Sequence, residues 1–481
     1  MSISKPVTRR ESLLAGLFGT GYIGLRALAT GLPPWFLLNP RRATAQDLQC
    51  MLNAKNNNQY LILSTSSNGD PVNCNCPGTY ENASLIHPSV DEMTATKVSV
   101  GGQMLGAALP WADPSVPSPG GSAKGCLSST VLARTSFFHY LTGTVVHGDQ
   151  PKVMKMMGAT AGGEMMISAF AKHLAACFGT VQTAPIAVGA GGNAGELVSF
   201  SGRTLPSITP MQLKTLLTGT KNDPLVTMQA QRDMDLDNLN ALFKSEYPAG
   251  SVQAQFLDAL STSQTQVRSL ASQLATTLGN ITANNLNGQL WAAGALIAAK
   301  VTPVVTVHIS MGGDNHSDNN LQAESDQHVS GITAMNKLLM PDTANGVLAS
   351  LGLLDQVTFA TWNVFGRNLA GISKVTSRTG RDHWGNHNVS VMVGKNFKSS
   401  VIGGVAADSS NDGGYSASDI ASATGAATKG GDIPAGQTMV AAAKTLGAGL
   451  GIPDSVQTAD WIASAGGKTV AAALTAVPTT A

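Results

Sequence analysis

The chain has 481 residues with 30 Lys and Arg against 29 Asp and Glu. That balance excludes a basic field for nucleic acid and an acidic solvating tail. Only 12% of residues are charged, and Gly, Ala, Ser, Thr, Asn and Gln are abundant, a composition common among exported proteins.

The N-terminus carries the address. Thr8-Arg9-Arg10-Glu11-Ser12-Leu13-Leu14 is an arginine pair followed by a mildly apolar stretch, residues 13–32. Arg26 and Pro33-Pro34 interrupt it, so it reads as a twin-arginine export signal rather than a membrane span. Ala43-Thr44-Ala45 supplies a small-x-small cleavage pattern, making 1–45 the signal peptide and 46–481 the mature domain, with no stable membrane span. The expected destination is periplasmic or extracellular. Cys50, Cys74, Cys76, Cys126 and Cys177 then meet an oxidising environment. Cys74 and Cys76 are too close for a comfortable mutual bridge, so at most one of them is expected to pair with Cys50 or Cys126.

Residues 59–66, centred on Tyr60-Leu61-Ile62-Leu63, read as a buried first strand ending at Ser67-Asn68-Gly69-Asp70. Residues 110–125, with four prolines and paired glycines, read as an irregular loop. A second strand is expected over 137–146, ending at His147-Gly148-Asp149, followed by helical spacing over 152–177 with a methionine stripe suited to core packing. Residues 210–299 repeat apolar positions at three- and four-residue spacing and read as a helical insertion. His87, His139, His173, His308 and His328 each stand alone and suggest packing rather than chemistry.

The chemistry gathers later. The β-branched run 301–309 leads into Gly312-Gly313-Asp314-Asn315-His316, and a strand over 356–365 leads into Gly366-Arg367. Arg381-Asp382-His383-Trp384-Gly385-Asn386-His387 then packs one carboxylate and two imidazoles before a further strand, 388–393. The expected fold class is α/β, with a mainly parallel sheet flanked by helices. In such a sheet the strand C-termini open onto one crevice, where Asp70, Asp314, His316, Asp382, His383 and His387 can converge. Oxygen and imidazole donors without Cys suit a divalent zinc, magnesium, calcium or manganese ion. The competing reading is local hydrogen bonding by short polar side chains in loops.

Taken in order, the twin-arginine signal, the strand ending in Gly69-Asp70, the Gly312 to His316 motif, Gly352-Leu353-Leu354-Asp355 leading to Phe365-Gly366-Arg367, and Gly380-Arg381-Asp382-His383-Trp384 resemble the exported family labelled domain of unknown function 1501. Lys395-Asn396-Phe397-Lys398 and Gly403-Gly404 extend the likeness, which is densest over 301–404. That family is similar in fold to the alkaline phosphatase and sulfatase superfamily. The resemblance implies an alkaline-phosphatase-like fold and a two-metal hydrolase of phosphate or sulfate esters. Asp70, Asp382 and His383 would hold one ion, and Asp314 with His316 or His387 the other. Arg367 or Arg381 would grip the oxyanion of a small-molecule or polymer ester, or else hold loops by pairing with Asp. Thr79, Ser84 and Thr144 are indistinguishable as nucleophiles. A non-catalytic secreted binding or assembly protein on the same scaffold is the alternative.

Overall fold

A computed structural model describes residues 58–80, 87–88, 93, 95–112, 127–178, 184–189, 198–200, 203–205, 207–218, 229–369, 379–408, 414–462 and 467–479. The arginine pair, the cleavage pattern, Cys50, Cys126, Ser84 and most of the proline-rich loop lie outside them. Among the described residues no helix is long and apolar enough to cross a membrane.

Segments of two to seven residues, most of them buried, form a central sheet because both faces of each can be covered. Its strands are β1 (Tyr60–Ser66), β2 (Thr135–Tyr140), β3 (Ile186–Ala187), β4 (Val304–Val307), β5 (Val357–Asn363), β6 (Asn388–Val393) and β7 (Ser400–Ile402), in the spatial order β7-β2-β6-β5-β1-β4-β3. β1 pairs in parallel with β4 and β5, β3 with β4, and β7 with β2. β6 is antiparallel to both β5 and β2, so the sheet is mixed. Alternation along the strands divides the core in two. Ile62, Val305, Phe359 and Val391 face one layer, with Leu290 and Leu296 of helix Leu286–Ala298 and Ile332 and Met335 of helix Gln322–Leu339. Leu61, Leu63, Trp362 and Met392 face the other, with Ile167 and Phe170 of helix Met166–Cys177 and Ala443 and Leu446 of helix Thr438–Gly449.

Two expectations need correction. Strand 388–393 does not end beside the other strand C-termini; it starts there. After β5 the chain turns back on itself in a short ribbon, Gly366–Arg367 pairing antiparallel with His383–Trp384, and re-enters the sheet reversed. A parallel pairing would have required a crossover to the opposite edge of the sheet. The loop holding Asp382 and His383 therefore reaches the expected crevice because it precedes its strand. The helical stretch expected over 152–177 is also broken, into Gln150–Met154 and Met166–Cys177, with Gly158, Gly162 and Gly163 at positive φ between them. Within 210–299, helices Gln229–Ser245 and Val252–Gly279 pair, while Leu286–Ala298 belongs to the core. Neither Cys74 nor Cys76 is bridged; both are free and buried, whereas Cys177 is in a disulfide.

One buried carboxylate ties the loops at the C-terminal edge. Glu324, in the first turn of helix Gln322–Leu339, accepts from Asn75 Nδ2 at 2.8 Å, Asn315 Nδ2 at 2.6 Å and Arg381 Nε at 2.8 Å. These donors come from the chain after β1, after β4 and before β6. Glu324 and Arg381 are both fully inaccessible to water. Leaving one member of such a pair uncompensated costs about 3–5 kcal/mol. Arg381→Leu is therefore expected to lower unfolding free energy by that order in a denaturant titration; a loss within ~0.5 kcal/mol, typical of surface sites, would contradict this role.

Candidate metal centre

Three loops meet at the C-terminal edge of the sheet. The segment after β2 brings His147, the segment after β4 brings Asp314 and His316, and the ribbon before β6 brings Asp382 and His383. Their close approach depends on missing side chains. A Cβ on Gly380 would lie 1.7 Å from the Asn315 carbonyl, and one on Gly312 would meet the Pro71 ring at 2.3 Å.

Asp314 sits at the centre. His147 Nε2 lies 3.5 Å from its Oδ2, and His316 Nε2 and His383 Nε2 lie 3.3 and 3.7 Å from its Oδ1. One ligand atom each from His147, Asp314 and His383 all fall within 4.8 Å of one another. The outer ring nitrogens decide what faces inward. His147 Nδ1 is 2.6 Å from the Ser67 carbonyl and His383 Nδ1 is 2.7 Å from the Val145 carbonyl. A carbonyl only accepts, so both nitrogens donate. His316 Nδ1, 3.2 Å from Asp382 Oδ1, does the same toward a carboxylate. His147 and His383, when neutral, thus turn an Nε2 lone pair toward the Asp314 carboxylate and its neighbours, and His316 Nε2 faces both His383 Nε2 and Asp314. The pair His316 Nε2 and His383 Nε2 is only 2.7 Å apart.

Lone pairs so placed repel one another unless a cation sits among them, either a proton or a metal ion. Burial, then the Arg367 guanidinium, pushes the His383 imidazole down to about 4, so this ring stays neutral near pH 7. Burial opposes ionisation of Asp314, but Arg367, His316 and His147 together hold its carboxyl below the ordinary range. The His383 ring and the Asp314 carboxylate thus offer electron pairs at neutral pH, and the centre is accessible: the side chains of Asp314 and His147 are 44% and 39% exposed. Neutral imidazole plus carboxylate, each imidazole braced by an acceptor on its far nitrogen, is a donor set that fits a borderline divalent ion such as zinc.

The other expected site residues lie elsewhere. Asp70 is buried, accepting from Ser66 Oγ and from the Met311 amide at 3.0 Å each, and so braces the ends of β1 and β4. His387 is buried away from the cluster, its Nε2 3.0 Å from His139 Nδ1 and its Nδ1 3.3 Å from Asn73 Nδ2. Arg367 has no exposed surface; it donates to the carbonyls of Asn68 and Gly69 at 2.6 Å each, of Gly313 at 3.1 Å and of Arg381 at 3.3 Å, and to Asp314 Oδ1 at 3.0 Å. Both arginines hold loops. Thr79 donates to the Cys76 carbonyl and Thr144 to Asp149, so their hydroxyls are committed locally. His147 was not among the expected ligands. Its signal was position, one residue past a strand-like run on the edge that Asp314 also occupies.

The remaining buried imidazoles make a second, separate population. Burial holds His139 and His328 down to about 4, from an ordinary value of 6.5, and His387 well below 6.5. Each binds a proton more readily once unfolded. Their stabilisation is complete above pH 6.5 and is lost as pH falls toward 4, because the unfolded chain gains more protons in that window. Unfolding free energy is expected to fall between pH 7 and 4.5 by on the order of 2 kcal/mol per buried imidazole. His139→Gln should flatten that slope; a stability independent of pH over this range would contradict the assignment.

No protein-family model matches the chain, and neither a curated protein nor a solved structure matches it.

Proposed function

We propose that this chain is an exported, metal-dependent hydrolase of phosphate or sulfate esters on an alkaline-phosphatase-like fold, working with one divalent ion at the Asp314 centre. The observation that carries the reading is the convergence of the His147, His316 and His383 Nε2 atoms on one carboxylate. The likeness of the Gly312 to His316 and Gly380 to Trp384 motifs to the exported family supports the fold and the ester class, and Arg9-Arg10 supports the route.

The residues divide the work. His147, His316, His383 and Asp314 would hold the ion, zinc being the best match to this donor set. Such an ion acts as a Lewis acid on an ester oxygen and makes a water a stronger nucleophile. Asp382 orients His316 and raises its basicity through Nδ1. Arg367 fixes Asp314 from behind. The attacking group in this reading is a water, Thr79 and Thr144 being committed locally and Ser84 lying outside the described residues, and the substrate is a small-molecule or polymer ester reaching the exposed side of Asp314.

This reading takes one ion in place of the two that the resemblance implies, because Asp70 and His387 hydrogen-bond within the fold. The same observation favours the second reading, a secreted binding or assembly protein that keeps the scaffold and an incomplete centre. The purified mature protein is expected to carry about one zinc-class ion per chain and to cleave an aryl phosphate or aryl sulfate. Asp382→Asn should weaken metal affinity about 10–100-fold, leaving the thermal midpoint of the metal-free protein near wild type. Metal content measured on both proteins decides: a metal-free wild type, or unchanged affinity in the variant, contradicts the hydrolase reading.

A further inference from the structure

A largely apolar cavity opens where the chain leaves β2, and that same segment runs on to the metal centre. The segment leaving β2 lines the cavity with Leu141, Thr142 and Gly143, then runs through Val145 and Val146 to His147. Val145 and Val146, on the connecting segment, are 48% and 55% exposed. Four residues of extended chain span at most about 14 Å, so Gly143 on the cavity wall lies within that reach of His147. The frame is fixed at both ends. The Gly385 carbonyl, two residues past His383, accepts from Thr142 N and Gly143 N at 2.9 Å each, and Leu141 N donates to Thr438 Oγ1 at 3.2 Å.

Three thioethers share the lining: Met156, Met157 and Met439, with Val440, border a volume of about 280 Å³. That is close to the lower end of small-molecule pockets. Met156 and Met157 both adopt left-handed backbone, at φ 52°, a conformation that side chains other than Gly, Asn and Asp rarely take. Strain of this kind persists where surrounding structure imposes it, often at ligand clamps. Here it lays unbranched, polarisable side chains along an opening, with Met157 44% exposed. Such a surface moulds itself to flexible apolar ligands.

We propose that this cavity takes an unbranched apolar chain, the tail of an ester whose charged head group meets the Asp314 centre; the head-group part rests on the hydrolase reading. The substrate class is thereby narrowed to long-chain alkyl phosphates or sulfates.

The test compares two probe series on the zinc-loaded full-length protein by titration calorimetry: n-alkyl alcohols and n-alkyl phosphonates, from four to ten carbons. Affinity in both series is expected to rise about fourfold per methylene until the cavity fills. Met157→Asn should reduce that increment while keeping the fold, because Asn tolerates left-handed backbone and the site is exposed. Met439→Gln, on the helix wall, supplies an independent second variant. A flat series in the wild type, or increments unchanged in both variants, overturns the proposal. Alcohols binding as tightly as phosphonates, with the chain-length slope intact, would uphold the chain site while sinking the ester centre.

Discussion

A guanidinium shut away from water holds this edge of the sheet together. Arg367 leaves the end of β5 and turns its N–H groups onto carbonyls after β1, after β4 and before β6, and onto Asp314. Asn73 closes the arrangement from the other side, accepting from the Arg367 amide at 2.9 Å and donating to the Arg367 carbonyl at 2.8 Å. Burying an unpaired cation would be prohibitive, so loops with little regular structure must settle where their carbonyls can satisfy it. The position of Asp314 is a consequence. Glu324 performs the converse task one layer deeper, a buried anion answered by Arg381 and two amides.

Against this frame the imidazoles separate by what faces them. His139 and His387 face each other and an amide in a dry interior, where neutrality suffices. His147, His316 and His383 face a carboxylate that Arg367 keeps ionised, with their outer nitrogens already donating. Wherever such rings are neutral, this arrangement leaves negative charge and lone pairs uncompensated. A cation resolves the conflict, and partial exposure gives it a way in.

How much of this was legible in the sequence depends on the interaction concerned. Strands such as Tyr60–Ser66 and Val357–Asn363 are buried along their length and rich in apolar, aromatic and β-branched residues, so period and composition reveal them. The direction of Asn388–Val393 is not written in its own residues; it follows from the ribbon that Gly366–Arg367 makes with His383–Trp384, a long-range pairing. Asp314, His316, Asp382 and His383 were recognisable as carboxylates and imidazoles at strand ends. Asp70 and His387 had the same local appearance, and only their partners, Ser66 and Met311 for one and His139 and Asn73 for the other, separate a brace from a ligand. For the two arginines, sequence left open loop-holding or substrate contact, and burial favours the former.

The most direct measurement is an anomalous-scattering map from crystals of the mature protein grown with zinc, recorded on either side of the zinc edge. The account predicts a peak among the Nε2 atoms of His147, His316 and His383 and the Asp314 carboxylate, at about 2.0–2.2 Å from each atom that ligates it. No peak at this position, or zinc held only by residues elsewhere, would contradict it.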